Sequence, residues 1–81
     1  MHNENLVKMA NDISAFFGSD PDPRTSVHGM VDHLRKFWDP RMRKAIILHH
    51  RAGGEGLSEL ASKAVKHLAE EYTSLSEVGD G

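Results

Sequence analysis

The sequence predicts an all-α chain: a small four-helix bundle with a sharp helix-Pro-helix corner at Asp39-Pro40. Three observations carry this. Apolar residues recur at three- and four-residue spacing along four successive stretches, and nowhere in the two-residue alternation of a strand. Asp39 can cap a helix N-terminus with its carboxylate, and Pro40 suits the first helical position, where its missing N–H needs no partner. The links between stretches are short (about five residues, almost none, and about five), which places consecutive helices side by side.

The first helix starts near Asn3 or Glu4 and turns Leu6, Met9, Ala10, Ile13, Phe16 and Phe17 to one side. Gly18 is positioned as its left-handed terminator, and Ser19 to Pro23 reads as a turn of Asp and Pro. Either Asp22 or Thr25 can cap the second helix. Its stripe is Val27, Met30, Val31, Leu34 and then Phe37 or Trp38. The third helix runs from Pro40 to about Ala52, with Met42, Ala45, Ile46 and His49 along one side. Gly53 or Gly54 is expected to close it with a positive φ. Ser58 opens the fourth helix with Glu59 in its first turn, and Leu57, Leu60, Ala61, Ala64, Val65, Leu68 and Tyr72 line its face. Residues 1–72 make a single domain in this reading, and residues 73–81, polar with two glycines, a flexible tail.

The corner itself is the densest part of the chain. Pro40 drives Asp39 out of the α region. One helix therefore stops near Trp38 and the next starts at Pro40. Phe37 and Trp38 sit there among Arg35, Lys36, Arg41, Arg43 and Lys44. Aromatic residues ringed by cations suit a docking surface. The competing reading has both rings plugging the core while the charges are solvated. Ile46 and Ile47 pose the same question, since adjacent helical residues point to different sides and one could face a partner.

Composition narrows the function classes. A chain of 81 residues buries a modest share of its surface. With no Cys it has neither disulfides nor thiolate metal sites, which suits a reducing, cytoplasmic setting. No apolar run is long enough to span a membrane, and the N-terminus shows no signal-peptide pattern. Net charge is −2, but residues 33–51 carry six cations against Asp39 alone, a local +5 between flanks of −3 and −4. That basic middle fits either an anionic partner or internal charge balance.

Chemistry-bearing patterns are missing. His28 and His33 are five apart, His49 and His50 are adjacent, and no His-Glu-x-x-His occurs, so no metal site is expected. No strained Ser elbow is present. Gly53-Gly54-Glu55-Gly56 follows a helix and lacks the Lys-Ser/Thr of a phosphate loop, so it reads as a turn. A free-standing nucleic-acid-binding or regulatory module is the rival reading. Against nucleic acid, the corner lacks the turn of a helix-turn-helix and the chain lacks a positive excess.

Three blocks occur in order: Leu6-Val7-Lys8-Met9-Ala10-Asn11-Asp12-Ile13 through Phe16-Phe17, then His33-Leu34-Arg35-Lys36-Phe37-Trp38-Asp39-Pro40-Arg41-Met42, then Gly53-Gly54-Glu55-Gly56-Leu57-Ser58. Together they resemble the delta subunit of NAD-dependent, molybdenum- or tungsten-containing formate dehydrogenase, over roughly residues 6 to 68. The Phe-Trp-Asp-Pro-Arg-Met run is the specific part.

The resemblance implies a non-catalytic accessory subunit of a cytoplasmic complex that oxidises formate and reduces NAD. It would dock on the large catalytic subunit, stabilising it or assisting cofactor insertion. The molybdopterin-type metal centre, iron–sulfur clusters and flavin are then expected on partner subunits and no cofactor on this chain, which has no Cys to ligate a cluster. No nucleic acid and no membrane are expected as partners, while self-association of the isolated chain is compatible with this reading. The expected partner-binding residues are His33, Arg35, Phe37, Trp38, Asp39, Arg41, Met42 and Arg43.

Overall fold

The structure is a computed structural model that describes residues 3–80, with side chains described as far as Glu71. Four helices follow one another: α1 (Asn3–Phe17), α2 (Pro23–Phe37), α3 (Pro40–Arg51) and α4 (Glu59–Asp80). The described residues contain no strand. None of their helices is long and apolar enough to cross a membrane. The tail expected over 73–81, and Tyr72 with it, lie beyond the described side chains.

Each helix end has a local cause. Asp22 caps α2 by accepting from the Arg24 N–H at 3.0 Å, which decides between it and Thr25. Asp39 caps α3 by accepting from the Met42 N–H, also at 3.0 Å, and Pro40 follows at the first helical position. After Arg51 the chain closes in a Schellman motif, Gly53 N–H donating to the His50 carbonyl and Gly54 N–H to that of His49. Gly53 and Gly54 both have positive φ, as their position requires. Ser58 caps α4 through the Ala61 N–H. The α1 terminus differs from expectation. Gly18 does not adopt a positive φ, and its N–H continues the helical ladder to the Ser14 carbonyl. The turn is made instead by Ser19, whose hydroxyl donates to Phe16, and by the Asp20 N–H donating to Phe17.

The core draws on every helix. Leu6 and Ala10 come from α1, Val27, Met30, Val31 and Leu34 from α2, Ile46 and Ile47 from α3, and Ala61, Ala64, Val65, Leu68 and Ala69 from α4. The three alanines of α4 leave room for close approach. α4 packs against all three other helices, most extensively against α2. α2 and α3 scarcely touch despite being joined by two residues, so the corner splays them apart. Ile46 and Ile47 are both enclosed, which settles the question the sequence left open and leaves neither to face a partner, because α3 is held between α1 and α4 and both sides are covered.

A polar clasp fixes the long α3–α4 turn to α1. Asn11 donates from Nδ2 to the Gly56 carbonyl and accepts from the Ser58 N–H at Oδ1, both at 2.8 Å. Ser14 spends its proton on the Asn11 carbonyl, so in its 2.8 Å contact with Ser58 the Ser58 hydroxyl is the donor. Gly56, at φ +87°, lies so close to α1 that an added Cβ would meet Val7 Cγ1 at 3.2 Å.

Asn11→Ala removes both bonds to the turn and strands the Ser58 N–H. It is expected to cost about 1–3 kcal/mol in chemical denaturation, and an unchanged midpoint would show that the clasp contributes nothing.

Candidate functional site

The corner is built by two stripes of α2 that run side by side. Val27, Val31 and Leu34 define the inner stripe, and Trp38 stands four residues past Leu34, on the same side. Its N–H still donates to the Leu34 carbonyl at 3.1 Å. Trp38 is 5% exposed and belongs to the core cluster. Of the eight residues expected to bind a partner, it is the one to correct, since no accessible face of the ring is left for docking. Gly29, His33 and Phe37 define the outer stripe at four-residue spacing. Phe37, which continues it, is 71% exposed.

The outer stripe carries a row of rings that crosses from α2 to α1. His33 and Phe37 have centroids 4.7 Å apart. His33 and Phe17 meet edge-on at 6.0 Å, and Phe17 and Phe16 at 5.2 Å with planes perpendicular. Phe17 is half-buried over Gly29, where even a Cβ would come within 2.7 Å of the ring. Phe16, at the far end, is 74% exposed. Both ends of the row thus lie open to solvent while the middle is held in place. Phe16 is not among the expected partner-binding residues, although the sequence holds more large apolar side chains, Phe16 among them, than one small core can hide.

The remaining expected residues divide by accessibility. Arg41 is exposed, Arg43 and His33 are half-buried, and Met42 is half-buried against the core. Arg35 reaches Glu71 at 3.4 Å, tying the end of α2 to α4. Asp39 has one oxygen committed to the cap. Beside the row, Lys36 pairs with Asp32 at 2.9 Å. The hydrogen bond from Lys36 holds the Asp32 carboxyl below the usual carboxylate range, with the charges of Lys36 and Arg35 adding to it. Both groups are exposed, so the pair contributes little to stability.

The arrangement is a surface of rings and charged groups. Among the described residues no three His, Asp or Glu side chains could hold a metal ion. The donor set does not suit an iron–sulfur cluster either, because no thiolate is present. The two-residue corner between α2 and α3 is too short for a helix-turn-helix.

No curated protein and no solved structure matches the chain. A family does: residues 5–65 match the sequence model of the NADH-dependent formate dehydrogenase delta subunit FdsD. That span holds the Asn11 clasp, the ring row, the Asp39 cap and the glycine turn, and it covers well over half of the chain. The chain belongs to the FdsD family of formate dehydrogenase delta subunits.

Proposed function

We propose that this chain is a non-catalytic accessory subunit that docks on the large catalytic subunit of a cytoplasmic, NAD-dependent formate dehydrogenase. Its docking surface is the α2–α3 corner with the adjoining ring row. The observation that carries the reading is Phe37 and Phe16, each more than 70% exposed, at the two ends of one supported row of rings. Large exposed apolar groups on a chain this small mark a binding surface. Rings fixed by their neighbours lose little freedom on binding. His33 lies inside the row, Arg41, Arg43 and Asp39 supply polar contacts at its edge, and Arg35 and Met42 brace the corner. Trp38 anchors the corner from inside.

In this reading the metal centre, clusters and flavin sit on partner subunits. Docking stabilises the catalytic subunit against loss of structure, or holds it in the form that receives its cofactor. A melt of the catalytic subunit with and without this chain, alongside its metal content, separates the two roles. Stabilisation raises the melting temperature of metal-loaded enzyme, whereas insertion raises metal occupancy alone.

Two substitutions at adjacent positions test the surface. Trp38→Ala is expected to lose roughly 3–5 kcal/mol of stability. Phe37→Ala should stay within about 0.5 kcal/mol of the wild type, as exposed positions do. In pull-down of the catalytic subunit, Phe37→Ala and Phe16→Ala should each weaken association by about 2 kcal/mol, close to thirtyfold. Undiminished binding by both variants would remove the ring row from the interface. The purified chain should also carry no stoichiometric iron, molybdenum or flavin by elemental analysis and absorbance. A stoichiometric amount of any of them would overturn its assignment as a cofactor-free subunit.

A further inference from the structure

The outer face of α3 carries an arrangement that folding does not explain. Arg41, Lys44 and Leu48 recur at three- and four-residue spacing and all three are exposed, on the side away from Ile46. They span about 10 Å of helix. Leu48 is 52% exposed between the cations Lys44 and Arg51. α3 is the one helix of the four whose sequence holds no carboxylate. Three cations elsewhere are paired, Lys36 with Asp32, Lys63 with Glu59 and Arg35 with Glu71, while Lys8, Arg24 and Lys66 have no ion pair among the described residues. Arg41 and Lys44 have none among the described residues. Arg41 also stands in the first turn of its helix, where the macrodipole repels positive charge. Intramolecular balance would place it at the other end.

We propose that Arg41, Lys44 and Leu48 form a second docking element that seats on a carboxylate-bearing surface of the formate dehydrogenase catalytic subunit, with Leu48 entering an apolar contact between the ion pairs. This rests on the docking reading above and extends it from Arg41, already at the edge of that surface, along the outer face of α3 to Lys44 and Leu48. A protein surface fits better than a polyanion. The chain as a whole is acidic, at −2, which opposes nucleic acid, and a leucine among the cations gains nothing from a phosphate backbone. Cations at the edge of such an interface act through complementarity and salt-sensitive association.

The test uses the tagged full-length chain and retention of the catalytic subunit at low and high ionic strength. The wild type should retain it, less so at high salt. Arg41→Glu combined with Lys44→Glu should lower retention on the order of tenfold at low salt, with an unchanged thermal melt. The same charge change at Arg24 and Lys66, exposed positions on α2 and α4, is the control and should stay within about twofold of wild type. Equal loss in the control pair would mean net charge alone matters and would overturn the assignment. So would retention of the subunit by the α3 variant at the wild-type level. So would an α3 variant that loses only self-association in sedimentation, or only binding to duplex DNA. If the wild type itself retains no catalytic subunit, the docking reading falls as a whole. If the wild type binds and the α3 variant binds equally, this second element falls and Arg41 leaves the edge of the first surface, while the ring row stands.

Discussion

The fold depends on how Trp38, Asp39 and Pro40 divide the chain. Trp38 ends α2 in extended backbone with its ring in the core, and Asp39 begins α3 by capping it. No loop residues remain to absorb error, so the direction of α3 is set by three consecutive side chains. One is held by packing, one by a hydrogen bond and one by its ring geometry. With α3 directed away from α2, α4 fills the space between them and becomes the helix that touches all the others. The clasp of Asn11 on the glycine turn then returns the chain to α1 and closes the bundle.

The same division produces the exposed surface. Residues 37 and 38 are neighbours, so on or just past a helix they cannot face the same way. Sending Trp38 inward sends Phe37 outward. Burial of Phe17 over Gly29 does the same to Phe16 on the other side of the row. The core thus selects which large rings stay outside and supplies the rigidity that makes them usable as anchors. A family membership that implies association with formate dehydrogenase subunits and a surface that favours protein contact support the same reading.

Much of the fold was legible in the sequence because it rests on local rules. The caps at Asp39 and Ser58, the glycine closure after α3 and the apolar stripe of α2 follow from spacing and backbone chemistry, whereas Met9 and Phe16, expected on the inner side of α1, are exposed. What escaped were features decided by neighbours distant in sequence. Which of Phe37 and Trp38 points inward depends on where α4 lies. The enclosure of both Ile46 and Ile47 depends on α1 and α4 covering adjoining sides of α3. Gly18 was misjudged because a left-handed glycine is only one way to end a helix, and Ser19 and Asp20 provide another. Asn11 and Ser14 gave only a faint signal, two polar residues at helical spacing beside an apolar face, with no hint of their partner Ser58. The resemblance contributed the partner, which no spacing argument could supply.

The central claim is that the face bearing Phe37 meets the catalytic subunit. The most direct measurement places a photoreactive phenylalanine analogue at position 37 or 16 of the full chain in native cells, with position 66 on α4 as reference. Irradiation should link positions 37 and 16 to the large formate dehydrogenase subunit and leave position 66 unlinked. Crosslinks to that subunit from position 66 alone would contradict the account.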